Sequence, residues 1–128
     1  MIKNFAFVLV LFLALVSCSR KTIGVPFVKE IDRNELKYTF ISSNIIGDSL
    51  VAKVQYGGGC IKPHLFELVQ TTKDDAGTVY LWLLHKTKDD KCRALVRVSR
   101  AYDVSTILKD PSVTSIKLNG DKVLYEKE

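Results

Sequence analysis

The chain has 128 residues, room for one domain, and its 47% apolar and 26% charged side chains are the balance of a folded globular protein. Lysine and arginine number 19 against 14 aspartates and glutamates, a net charge of +5 that lacks the dense basic stripe of a nucleic-acid binder. The longest apolar run, Phe5 to Val16, has 12 residues where a spanning helix needs about 20, so large multidomain enzymes, spanning helices and low-complexity tails are set aside.

The first residues read as an address. Lys3 supplies a positive start and Phe5 to Val16 an apolar stretch, the layout of a secretory signal. The stretch ends in Leu15-Val16-Ser17-Cys18, which resembles the lipobox of bacterial lipoproteins. The resemblance implies removal of residues 1–17 and acylation of Cys18, which becomes the new amino terminus. One acyl chain holds a bilayer marginally, whereas two or three anchor stably at ~0.8 kcal/mol per buried methylene. Residues 18–33 then read as anchor and tether, with Arg20 and Lys21 as solvated linker charges, and residues 34–128 as the domain. Serine rather than aspartate follows Cys18, which in enterobacterial lipoproteins, by the same resemblance, implies outer-membrane sorting. The tether lacks the acidic cluster some bacteria use for surface display, so a periplasm-facing anchor is expected.

The rest of the chain alternates with period two. Leu36, Tyr38 and Phe40 alternate with Lys37 and Thr39, and Asn44 to Asp48 is expected to turn. Leu50, Ala52, Val54 and Tyr56 form the next apolar face, followed by Gly57-Gly58-Gly59. His64 to Thr71 is a third strand, and Lys73 to Gly77 a polar turn. Thr78 to His85 is almost wholly apolar and is expected to be a central strand covered on both faces. A second polar turn, Lys86 to Lys91, leads into Cys92 to Ala101. Asp103 to Leu108 suits a single helical turn stopped by Pro111. The chain closes with Val113 to Leu118, the hairpin signal Asn119-Gly120, and Lys122 to Glu126. Seven short strands without a sustained helical period predict an all-β protein: an antiparallel β-sandwich, with immunoglobulin-like order or a small β-barrel as variants.

Hairpin direction gathers four reactive side chains. If Thr78 to His85 pairs with both His64 to Thr71 and Cys92 to Ala101, then Cys60, His64, His85 and Cys92 share one end of the sheet. Such a set has zinc-ligand chemistry. Outside the cytoplasm, however, neighbouring thiols oxidise, which favours a Cys60–Cys92 disulfide, with a metal site or free thiols as alternatives. His64 and His85 fall on the apolar faces of their strands, a position more often satisfied by hydrogen bonds than used for ligation. Help from Asp89 or Asp90 would make them a metal-binding pair. The glycine run suits a bend that carries Cys60 to its partner. The runs Lys73-Asp74-Asp75 and Lys88-Asp89-Asp90 lie at opposite ends of the sheet, offer too few oxygens for calcium, and read as solvated turn charges.

Tyr56-Gly57-Gly58-Gly59-Cys60, His64-x-Phe66, His85 and Cys92-x-Ala94, and Tyr102-Asp103-Val104-Ser105 together resemble a group of small bacterial lipoproteins. That group carries Gly-Gly-Cys…His-x-Phe, a second His…Cys motif and a Phe-Asp-Leu-Ser-like segment. The likeness covers about half of residues 18–128. It departs at Pro63 in the spacer and at Tyr102 and Val104, where the group has phenylalanine and leucine. It implies a paired Cys60 and Cys92 and sets His64 and His85 among the defining positions, without implying an activity.

The sequence therefore predicts a lipid-anchored cell-envelope domain that is a non-enzymatic binding or structural module. Its expected partners are the membrane, through lipid on Cys18, and an envelope protein, with no cofactor and no nucleic acid. The alternatives are a metal-binding protein using His64 and His85, or an inhibitor of an envelope hydrolase.

Overall fold

A computed structural model describes residues 24–128. The signal stretch, Cys18 and the first part of the tether lie outside the described residues. Among the described residues seven strands are present: β1 Thr39–Ile46, β2 Ser49–Gly58, β3 Phe66–Lys73, β4 Thr78–His85, β5 Ala94–Asp103, β6 Ser115–Leu118 and β7 Lys122–Glu126. A 3₁₀ turn, Arg33–Leu36, precedes β1, and one short helix, α1 Ser105–Leu108, lies between β5 and β6.

The strands form two sheets, β1-β2-β5 and β3-β4-β6-β7, so the protein is an all-β sandwich and not a closed barrel. The core is a sheet-on-sheet interface built by alternation. Leu50, Ala52, Val54 and Tyr56 of β2 meet Phe66 and Leu68 of β3, Val79, Leu81 and Leu83 of β4, and Ile116 and Leu118 of β6. As its composition predicts, β4 is an interior strand, flanked by β3 and β6.

Three expectations are corrected. First, Asn44, Ile45 and Ile46 are strand, paired with Val51, Leu50 and Ser49. The turn shrinks to Gly47-Asp48, with Gly47 at φ 60° supplying the left-handed step a two-residue hairpin needs. The strand also starts later than the alternation from Leu36 suggests. Asp32 accepts from the Asn34 N–H and caps the 3₁₀ turn instead, which buries Glu35 against Lys86 Nζ at 3.0 and 3.1 Å.

Second, β5 pairs with β2 and not with β4. Its alternation, exposed on one face and half-buried on the other, suits the outer sheet, whereas β4 is apolar on both faces. Third, the sandwich is not wholly antiparallel, because β4 and β6 run parallel from Thr78↔Ser115 to Leu81↔Leu118. The chain leaves for the other sheet in β5 and returns through α1, entering β6 in the direction of β4. An immunoglobulin constant domain keeps its fourth strand in the first sheet; here β4 lies between β3 and β6.

Part of the segment read as tether lies along the domain. Gln70 of β3 donates to the Pro26 carbonyl and accepts from the Val28 N–H, each at 2.9 Å, in a parallel bridge centred on Phe27.

Candidate functional site

Cys60, His64, His85 and Cys92 do meet at one end of the sandwich, by a route other than the expected one. The β3–β4 hairpin sets Phe66 opposite His85. The β2–β5 pairing sets Gly58 opposite Ala94 and so brings the following Cys60 beside the preceding Cys92. Their Cα atoms are 5.5 Å apart, within the disulfide range, and the two sulfurs are joined.

Between the two cysteines sits a residue that turn chemistry hides. Asp89 adopts a left-handed backbone at φ 64°, which turns Asp90 inward. The Asp90 side chain is 3% exposed and is not the solvated charge its neighbours suggest. Oδ2 accepts from the N–H groups of Gly59 (3.0 Å) and Ile61 (3.1 Å). Oδ1 accepts from Cys60 (3.3 Å) and Cys92 (3.0 Å). The bond to Cys92, two residues on, is an Asx-type turn, the one local signal the sequence offered.

Asp90 Oδ2 also lies 2.6 Å from His64 Nε2, and His64 Nδ1 lies 2.7 Å from His85 Nε2. The two imidazoles are nearly coplanar, with 19° between them and centroids 5.0 Å apart. That separation with so short a nitrogen–nitrogen contact means edge-to-edge alignment. Three groups thus form one line: carboxylate, buried imidazole, half-buried imidazole.

The His64 bond, followed by the backbone donors, outweighs desolvation and holds the Asp90 carboxyl far below the usual carboxylate range. An ionised Asp90 only accepts, so His64 Nε2 carries a proton. His64 Nδ1 and His85 Nε2 share one hydrogen bond, whose direction follows the tautomers of the two rings. No described residue bonds His85 Nδ1, and no buried side-chain nitrogen or oxygen among them lacks a partner, so this nitrogen opens to solvent. Burial first, and the neighbouring His64 second, lower the His85 pKa and favour its neutral form.

The packing around the line holds it in place. The Tyr56 ring stacks on His64 at 4.1 Å and the Phe66 ring on His85 at 4.6 Å. His64 is 2% exposed, and a Cβ on Gly58 would stand 2.7 Å from Asp90 Oδ2 and 3.0 Å from the His64 ring. The middle glycine of the run is therefore the floor of the site, besides any part in a bend. Burial pushes the Tyr102 hydroxyl up to about 12, so it stays protonated and donates to the Phe66 carbonyl at 2.9 Å.

The zinc-type set is not assembled. Ligand atoms of Cys60, Asp90 and Cys92 lie within 4.8 Å of one another, but the sulfurs are joined and Asp90 is saturated with donors. Both His64 nitrogens are in use here, and His85 keeps one open nitrogen. Asp74, by contrast, is the turn residue expected of it, accepting from the Thr78 N–H at 2.9 Å while exposed.

These features define a disulfide-clamped β-sandwich with an Asp–His–His line at one end. No protein-family model matches the chain, and no curated protein matches it in sequence. Among solved structures it is similar to a protein of unknown function, DUF1344, from Bacteroides vulgatus ATCC 8482, at 15% identity and a TM-score of 0.59. The match covers 81% of this chain and 58% of that one, so this chain spans a little over half of its neighbour. At that identity the likeness is one of fold alone.

Proposed function

We propose that the protein is a lipid-anchored cell-envelope module, tethered to the periplasmic side of the outer membrane through Cys18, that binds another envelope component without catalysing a reaction. The lipobox Leu15-Val16-Ser17-Cys18 supports the anchor. One observation carries the binding role: the end that holds the disulfide and the Asp–His–His line also displays Ile61, Leu65 and Leu95, which are 40%, 61% and 76% exposed. Large apolar side chains held out on a braced scaffold suit recognition, since rigid support lowers the ordering cost of binding. The line beneath them is a brace, because Asp90 and His64 direct their polar atoms at the protein itself.

Two measurements test this. Labelled palmitate is incorporated by the wild-type chain and lost in Cys18→Ser. A photo-crosslinking residue at Leu65 or Leu95 yields a discrete adduct in cells, whereas one at Val123 on β7 does not. Absence of palmitate ends the anchor reading, and equal adducts at all three positions end the assignment of the binding end.

A further inference from the structure

The two sides of the sandwich are finished differently. On one side Lys122 of β7 lies 4.4 Å from the centre of the Phe40 ring of β1, drawing those edge strands together. On the other side β3 and β5 are the edges, with a cleft of about 300 Å³ between them. The cleft is lined chiefly by Val25, Pro26, Leu65, Phe66, Leu68 and Tyr102.

The chain already pairs with one of these two edges, through the bridge from Pro26 and Val28 to Gln70 of β3. The ten-residue edge of β5 has no such cover among the described residues, where its ladder partner is β2 alone. A long open edge invites another strand unless charge or irregularity blunts it. Here the charge is one-sided. From Lys91 to Tyr102 the sequence holds Lys91, Arg93, Arg97 and Arg100 and no acid. Arg93, Leu95 and Arg97 are all exposed, and Gln55 holds the Arg97 Nε at 2.7 Å. The two acids that line the cleft, Glu67 and Asp103, lie beyond this basic stretch.

We infer that the β5 edge takes an extended acidic polypeptide segment as a fourth strand of the β1-β2-β5 sheet, with acids beside Arg93 and Arg97 and an apolar side chain in the cleft at Tyr102. Main-chain bonds supply affinity and alternate side chains selectivity, as in strand addition generally. The inference rests on the proposed binding role and gives its partner a chemistry.

The test uses the purified full-length chain and the peptide acetyl-Leu-Thr-Val-Thr-Val-Glu-Val-Glu-Val-Glu-amide. Antiparallel to β5, it sets leucine opposite Tyr102 on the half-buried face and glutamates opposite Arg97 and Arg93 on the exposed face. The expected results are saturable binding that weakens with salt and slowed amide exchange confined to alternate residues of β5. Alternate residues of an added strand face β5. Of two peptides N-methylated on complementary alternate sets, one loses binding and the other keeps it. Arg93→Glu with Arg97→Glu weakens binding about tenfold or more at an unchanged melting temperature. Absence of binding overturns the proposal, as does equal binding of both N-methylated peptides. Uptake by phosphatidylglycerol vesicles without peptide binding also overturns it and assigns the basic strand to a lipid surface. The measurement does not depend on where the chain fractionates, so its failure is distinct from failure of the lipid anchor.

Discussion

Asp90 Oδ2 stands 2.6 Å from His64 Nε2, and the same carboxylate gathers the N–H groups of Gly59, Cys60, Ile61 and Cys92. One side chain therefore joins the loop after β2, the loop before β5 and the entry to β3. Asp90→Ala leaves the buried His64 Nε2 and four backbone N–H groups without their shared acceptor, a larger loss than deleting an exposed acid. The expectation is a marked fall in melting temperature for Asp90→Ala and little change for Asp74→Ala, read by thermal unfolding with the disulfide intact. Equal shifts would show that the carboxylate holds nothing together.

The disulfide spans the same junction covalently. Cys60 and Cys92 are 32 residues apart, a loop whose closure stabilises by roughly 3–4 kcal/mol on chain-entropy grounds. Cys60→Ser with Cys92→Ser should lower stability by about that amount in denaturant titration. On reduction the wild-type intact mass should rise by two hydrogens. Two thiols alkylated before any reductant is added would count against the bond.

Adjacent glycines differ in tolerance. A Cβ on Gly58 meets Asp90 and His64, whereas one on Gly57 meets nothing within 4 Å. Gly58→Ala should destabilise by about 1–3 kcal/mol, the usual cost of overpacking. Gly57→Ala should be neutral or stabilise by up to ~1 kcal/mol, since glycine weakens a strand interior. Equilibrium unfolding of the two single variants settles the contrast.

Asn119, in the turn between β6 and β7, adopts φ 51° and does more than turn the chain. Its Oδ1 accepts from the Leu83 N–H at 3.0 Å and its Nδ2 donates to the Tyr38 hydroxyl at 2.9 Å. Asn119→Gly keeps the left-handed backbone and deletes both bonds, so a loss of about 1–3 kcal/mol is expected from the unpaired groups. A neutral result would reduce Asn119 to its turn role.

Acid should destabilise the fold in two stages. The His85 pKa is lowered on folding, chiefly by burial, so the unfolded chain binds more protons once pH falls below the ordinary histidine value of about 6.5. This contribution is present above that pH and lost as pH falls through the folded value. The Asp90 pKa is lowered by His64 and the backbone donors, so its contribution is complete above the ordinary value of about 4 and lost at lower pH. His85→Gln should flatten the first stage and leave the second. Histidine ring NMR should show His85 titrating below 6.5.

Alternation announces most strands, an almost unbroken apolar run the buried character of β4, and the segment stopped by Pro111 the single turn of α1, because these signals are local and each segment carries its own record of them. The same local logic misjudged Asn44 to Ile46. The turn signal there spreads over residues that pair with β2, and the pairing requires only Gly47-Asp48. It also assigned β5 to β4. Nothing within β5 says which apolar strand it will meet, and that choice depends on how two sheets divide the available core.

The site divides in the same way. Cys60, Cys92, His64 and His85 were recognisable because few residue types carry their chemistry, and their convergence followed from strand direction. Asp90 was not recognisable, since an acid in a Lys-Asp-Asp turn looks solvated until the loops after β2 and before β5 close around it. An aspartate becomes a buried acceptor only where distant segments aim N–H groups at it, and a linear pattern does not record that convergence. Residue chemistry and burial period are written along the chain, whereas strand partners and the surroundings of a charge arise when segments far apart in sequence compete for the same space.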